Sequence, residues 1–217
     1  MTKMKRLMVT VAAAAGLFGL VAVPQAGAAQ AGAAQTDGKG GDVPVQTLAG
    51  GIKLRPAKVG AAHRSTAGAA GAQVAEADAY LIESAAFGRC WDADLNTINA
   101  NGTIMALWDC NVYAANQAFY ITRNPEGYLR FQNVQSGRYL EADLTTIGKN
   151  GTKVQLWDYS PGGKNQWWID TVNPEGYLRL QNPASNRYLT GEGQVGGNGT
   201  RMQLWDFMAG AKSQWWS

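Results

Sequence analysis

At 217 residues, with 19 Lys and Arg against 16 Asp and Glu, the chain is mildly basic and holds only two cysteines and one histidine. The positive excess sits in the first 28 residues, which carry Lys3, Lys5 and Arg6 and no acid; the remainder is formally neutral at 16 against 16. That removes the electrostatic case for a nucleic-acid partner or an anionic membrane, and two cysteines with a lone His63 cannot complete a zinc site.

The first element is a leader. A basic start, an apolar run from Leu7 to Val23 and small residues at Ala26 and Ala28 predict a secretory signal over 1–29, cut after Ala28 or Ala29. A membrane anchor is the competing reading, but the run is short and no second apolar span follows. The expected localisation is extracellular, with no membrane association once the signal is removed. Residues 30–77 are rich in Ala, Gly and Gln and contain no Phe, Tyr or Trp. Such a segment has little to bury against the entropy of ordering it, and reads as a disordered tail or pro-segment.

Residues 78–217 hold all eight Trp, all eight Tyr and four of the five Phe, in a length that can build one core. In an oxidising compartment Cys90 and Cys110 are expected to pair, which the chain-entropy model values at about 3 kcal/mol. The segment writes one unit three times, over about 78–125, 126–174 and 175–217. "NGTIMALWDCNVYAANQAF", "NGTKVQLWDYSPGGKNQWW" and "NGTRMQLWDFMAGAKSQWW" align at a spacing of 49 residues, with one deletion between Thr190 and Asn198. A period in this range marks repeated supersecondary units.

Within a unit, "GYLRFQN", "GYLRLQN", "VQLWD" and "MQLWD" alternate apolar and polar residues as half-buried strands do. Asn-Gly at 101, 150 and 198 suits tight hairpin turns, and "NPEGY" at 124–128 and 173–177 reads as the turn joining units. No amphipathic helix of useful length is visible, so the fold class is all-β. A β-propeller closes with about four to eight blades, and a solenoid needs atypical capping units. Three equivalent units with regular ends instead predict cyclic closure with threefold pseudosymmetry, as in a β-trefoil.

Gln117-Ala-Phe119, Gln166-Trp-Trp168 and Gln214-Trp-Trp216, preceded by "ALWDC", "QLWDY" and "QLWDF", resemble the Gln-x-Trp repeats of the ricin B-type lectin family, in its secreted bacterial form. The resemblance covers about 78–217. It implies a β-trefoil that binds carbohydrate, with the aromatics Phe119, Trp168 and Trp216 in the core and the glutamines tying down hairpin backbone. Trp167 and Trp215, on the other strand face, either extend a site or cover the barrel.

It further implies one potential site per unit: an acid accepting from sugar hydroxyls, the "LW" tryptophan stacking on the apolar face of the ring, and an Asn near the Gln-x-Trp closing the rim. Charge-assisted hydrogen bonds to a carboxylate are the strong ones. The first unit then offers Asp92, Trp108, Asn116 and Gln117, braced by Cys90–Cys110, and departs from the others at Ala106, where they have Gln155 and Gln203. The second offers Glu141, Trp157, Asn165 and Gln166, with an acid one methylene longer. The third has Thr190, Trp205, Ser213 and Gln214 and is expected to be silent, Trp205 and Gln214 being the weaker candidates. The plainer alternative is that all three "LW" tryptophans only pack.

Three further signals are discounted. Asn-Gly-Thr at 101, 150 and 198 matches the glycosylation acceptor, but recurs with the hairpin. "DADLNT" from Asp92 lacks the Gly and Glu of a calcium loop. Asp92 with Asp94, and Glu141 with Asp143, are acid pairs without a recognisable cleft. The expected function is therefore a non-catalytic lectin for glycan or polysaccharide, needing no cofactor or metal. The alternatives are a trefoil that binds or inhibits proteins, and a targeting module for a separately encoded, secreted glycan-active enzyme.

Overall fold

The computed structural model describes residues 42–45, 48–59, 78–193 and 196–217. The leader and the remainder of the segment before residue 78 lie outside them. The described residues build one 13-stranded antiparallel sheet. Its strands are β1 (Val43–Pro44), β2 (Arg55–Pro56), β3 (Ala79–Leu81), β4 (Cys90–Ala93), β5 (Thr103–Trp108), β6 (Phe119–Arg123), β7 (Leu129–Asn133), β8 (Tyr139–Ala142), β9 (Thr152–Trp157), β10 (Ile169–Val172), β11 (Leu178–Asn182), β12 (Arg187–Gly191) and β13 (Thr200–Trp205).

Each unit contributes an inner hairpin strand pair, β4–β5, β8–β9 and β12–β13. The longer strands of these three hairpins also pair with one another in every combination, β5 with β9, β9 with β13 and β13 with β5. Three strands that each pair with the other two form a closed triangle, and a fourth copy would have no free side to join. The chain closes on itself at its end, where Ser217 exchanges backbone hydrogen bonds with Glu83 at 2.8 and 2.9 Å. This is the β-trefoil expected from the repeat.

The alternation seen in the strands sorts residues as the periodicity requires. Phe119, Trp168 and Trp216, one from each unit, are fully buried together with Leu107, Leu156 and Leu204. Trp91 fills the middle, meeting Phe119, Phe131 and Trp216 edge-on at 5.1–5.7 Å between ring centres. Trp167 and Trp215 cover the barrel rather than extend a site: they are 7% and 4% exposed and stack on Tyr128 and Tyr177 at 5.1 and 5.5 Å.

The Asn-Gly-Thr triplets are latches between units. Gly102, Gly151 and Gly199 adopt φ of +83 to +88°, which only glycine holds without strain, and the turn aims the preceding Asn at the next unit. Asn101 Nδ2 donates to Asp158 Oδ2, while its Oδ1 accepts from Asp158 N and Arg138 Nε. Asn150 treats Asp206 and Arg187 identically, and Asn198 treats Asp109 and Arg89 identically. All nine distances lie between 2.8 and 3.0 Å. The ring runs first unit to second, second to third, third to first.

One expectation is corrected. The segment 30–77 is not without fixed structure throughout, because residues 42–45 and 48–59 form a strap on the barrel. β1 pairs with β6 and β2 with β3, Leu48 and Leu54 enter the core, and Asp42 pairs with Arg130 at 2.5 Å. The physical reason lies in the first unit. Where the others carry Tyr128, Arg130 and Trp167, or Tyr177, Arg179 and Trp215, it carries Ala79, Leu81 and Ala118. Ala57 and Val59 of the strap pack over Ala79 and Ala118, supplying the apolar cover those small side chains cannot.

Candidate functional site

Cross-strand register builds the site in the first unit. In the β4–β5 hairpin Cys90 lies opposite Trp108 and Asp92 opposite Ala106, so all four share one face, while Trp91, Ala93, Met105 and Leu107 turn into the core. The Cys90–Cys110 disulfide, with Cα atoms 5.0 Å apart, fixes the end of the hairpin from which Trp108 projects. A short 3₁₀ turn, Ala115–Gln117, follows and delivers two amides.

Those amides converge on one carboxylate oxygen. Asn116 Nδ2 and Gln117 Nε2 donate to Asp92 Oδ2 at 3.0 and 2.8 Å. Each amide is itself anchored: Asn116 also donates to Ala93 O, and Gln117 bridges Asn111 N and Asp109 O. Asp92 Oδ1 has no hydrogen-bond partner among the described residues, and Ala106 across the hairpin has nothing to offer it. Burial raises the Asp92 carboxyl above the ordinary aspartate value; Gln117 and then Asn116 pull it down, and Asp94 pushes it up again. The acid is held rigid by one oxygen and presents the other.

Asp92 lines a basin of about 690 Å³ together with Ala106, Trp108 and Asn116, and with Gly199 and Arg201 from the third unit. Trp108 is 47% exposed, and a Cβ added at Gly199 would lie 3.8 Å from its ring. One edge of the indole therefore packs on the neighbouring turn while the rest is open, so packing and an exposed ring coexist. Arg201 pairs opposite Ala106 and is a wall residue that the sequence did not reveal. Asp94, the other member of the acid pair, is turned to local use, accepting from Asn96 and Thr97.

The second unit assembles the same parts and then closes them. Asn165 and Gln166 donate to Glu141 Oε2 at 3.0 and 3.3 Å, but Gln155, in the place of Ala106, donates to Oε1 at 2.9 Å. Both acid oxygens are taken and Glu141 is 5% exposed. Burial raises its carboxyl too, against the three amide donors, with a small further push from Asp143. Trp157 remains exposed above it. In the third unit Thr190 is buried, its hydroxyl donating to Tyr188 O and accepting from Gln214; Trp205 is exposed beside no acid of the Asp92 kind. The only metal-capable group among the described residues is Glu83 with Cys90 and Cys110, whose sulfurs are bonded to each other.

The disulfide has a counterpart in each of the other units. The columns of Cys90 and Cys110 hold Tyr139 and Tyr159 in the second and Tyr188 and Phe207 in the third. These aromatic pairs meet at 5.2 and 5.4 Å, so the covalent staple is one of three ways of closing the same hairpin.

Comparison with known proteins agrees with this architecture. The family model described as ricin-type β-trefoil lectin domain-like matches residues 71–157 and 115–205. No functionally curated protein matches the chain in sequence. Among solved structures, the designed threefold-symmetric protein ThreeFoil is similar at a TM-score of 0.59 and 22% identity, over 64% of this chain and 95% of its own. A Macrolepiota procera ricin B-like lectin, solved with lactose, is similar at 0.54 and 20%, over 67% and 97%. An exo-β-1,3-galactanase from Clostridium thermocellum is similar at 0.57 and 24%, over 64% of this chain but only 29% of the enzyme. The chain belongs to the ricin-type β-trefoil lectin-like family.

Proposed function

We propose that this protein is a secreted, non-catalytic glycan-binding module with one open site, in the first unit. The observation that carries the reading is Asp92: one oxygen is fixed by Asn116 and Gln117, the other has no hydrogen-bond partner among the described residues, and the residue lines a basin walled by the half-exposed Trp108. A pyranose has one apolar face and a rim of hydroxyls. A flat indole and a rigid, partly desolvated acceptor match those two features, and hydrogen bonds to the carboxylate supply the directional part. A single shallow site of this kind binds weakly, and useful retention on a polysaccharide comes from several molecules or repeated engagement.

The test is a glycan-array screen of the chain from residue 30 onward, beside Asp92→Ala and Trp108→Ala, with circular dichroism confirming the fold. The expected result is a sugar class bound by the parent and lost in both variants. A folded parent that binds no glycan would turn the reading to a protein partner. A second reading, a module that brings a separate enzyme to its polymer, is favoured by the galactanase, of which the similar part is 29%. Co-purification of a glycan-active enzyme from culture medium would distinguish it.

A further inference from the structure

The second and third units share a device that lies apart from the Asp92 basin. In the second, Thr122 and Arg130 are cross-strand partners on β6 and β7. Thr122 Oγ1 at 3.3 Å and Arg130 Nη1 at 2.5 Å converge on the same oxygen, Oδ2 of Asp42 in the strap. The guanidinium is backed by Tyr159 at 4.9 Å and Trp167 at 5.8 Å.

The third unit repeats the arrangement. Thr171 and Arg179 are partners on β10 and β11 in the same register. Arg179 is backed by Phe207 at 4.9 Å and Trp215 at 6.0 Å. No acid of the described residues pairs with it, whereas Arg130 has Asp42. Thr171 is exposed, Arg179 half-buried, and Phe207 52% exposed. A guanidinium lying on aromatic rings keeps its edge donors free and planar for a carboxylate. The first unit has Leu81 in this column and lacks the device.

We infer that Thr171, Arg179 and Phe207 form a second binding site, for an aspartate or glutamate side chain on an extended polypeptide. The filled copy identifies the ligand chemistry. Its occupant is a carboxylate carried by a short extended segment, which continues as β1 against β6, with Val45 N donating to Ile121 O at 2.9 Å. β10, the counterpart of β6, ends the strand order. The strap meets it at Asp170, which accepts from Ala49 N, and at Val172, which lies against Gly50, one residue to either side of Thr171.

The experiment is an NMR titration of the isotope-labelled chain from residue 30 onward with the peptide Gly-Asp-Val-Pro-Val, the sequence of residues 41–45. Shifts are expected at Thr171, Arg179 and Phe207. They should weaken at least about tenfold when the peptide carries Asn for Asp, since a hydrogen bond to a charged group is lost. They should vanish in Arg179→Leu, which places there the residue type that the first unit tolerates at the same column. Shifts confined to Thr122 and Arg130, or none with millimolar peptide, overturn the proposal. Galacturonate shifting the same residues at lower concentration than the peptide would also overturn it, assigning the site to an acidic sugar.

Discussion

Whether an acid in this fold can receive a ligand turns on the residue across its hairpin. Asp92 faces Ala106 and keeps an oxygen without a partner among the described residues, whereas Glu141 faces Gln155, which takes the second oxygen. Ala106→Gln is therefore expected to abolish glycan binding without unfolding the protein. Gln155→Ala is expected to open a second site, raising the calorimetric stoichiometry from one to two. The acid itself sets a pH limit. In the proposed site a sugar hydroxyl would donate to ionised Asp92, so affinity is expected to fall as pH drops through the folded-state value, which burial raises above the ordinary aspartate value. Stability has the opposite sign at this residue: a raised carboxyl binds its proton more tightly in the folded state, so its cost to folding is relieved as pH falls. Binding measured against pH should thus weaken while the fold, followed by circular dichroism, is still intact. The acid, tryptophan and amide columns were all legible in the sequence. The sense of Ala106 was not: it looked like a departure from the site, because only the strand register shows that Gln155, in the same column of the second unit, lies across the hairpin from Glu141 and fills its second oxygen.

Among elements, the strap was the least legible, since Ala- and Gly-rich composition argues against order and Leu48, Ile52 and Leu54 are few. The signal that could have found it lies in the repeat. Ala79, Leu81 and Ala118 stand where the other units place Tyr, Arg and Trp, and a wall lacking that bulk needs cover from elsewhere. Leu48→Ala or Leu54→Ala should each destabilise by about 2–5 kcal/mol, read as a lower denaturation midpoint with unchanged slope. The β4–β5 hairpin makes a parallel case. Its disulfide spans a separation of 20 residues, and Cys90→Ala with Cys110→Ala should cost about 3 kcal/mol. Replacement by the pair the third unit uses, Cys90→Tyr with Cys110→Phe, should recover part of that loss and make stability insensitive to reductant.

At the scale of the whole molecule, threefold closure was legible because the spacing repeats three times with regular ends, but its instrument was not. Asn-Gly-Thr and the Asp of "LWD" belong to different units in every latch, so no window of the sequence contains both halves. The latch acids are exposed, at 61–71%, where ion pairs and hydrogen bonds are each worth about 1 kcal/mol or less. Asn101→Ala, Asn150→Ala and Asn198→Ala should therefore destabilise by similar small amounts. Their pairs should add to within about 0.5 kcal/mol, because no partner is shared between latches. Binding breaks this equivalence. Only the latch made by Asn198 adjoins the open site: it holds Asp109, the residue after Trp108, and positions Gly199 and Arg201 in the basin wall. Asn198→Ala is expected to weaken glycan binding several-fold while its two counterparts leave it unchanged. Equal losses of affinity in all three would mean that the ring stiffens the barrel as a unit, whereas a loss confined to Asn198 would show a site built jointly by the first and third units.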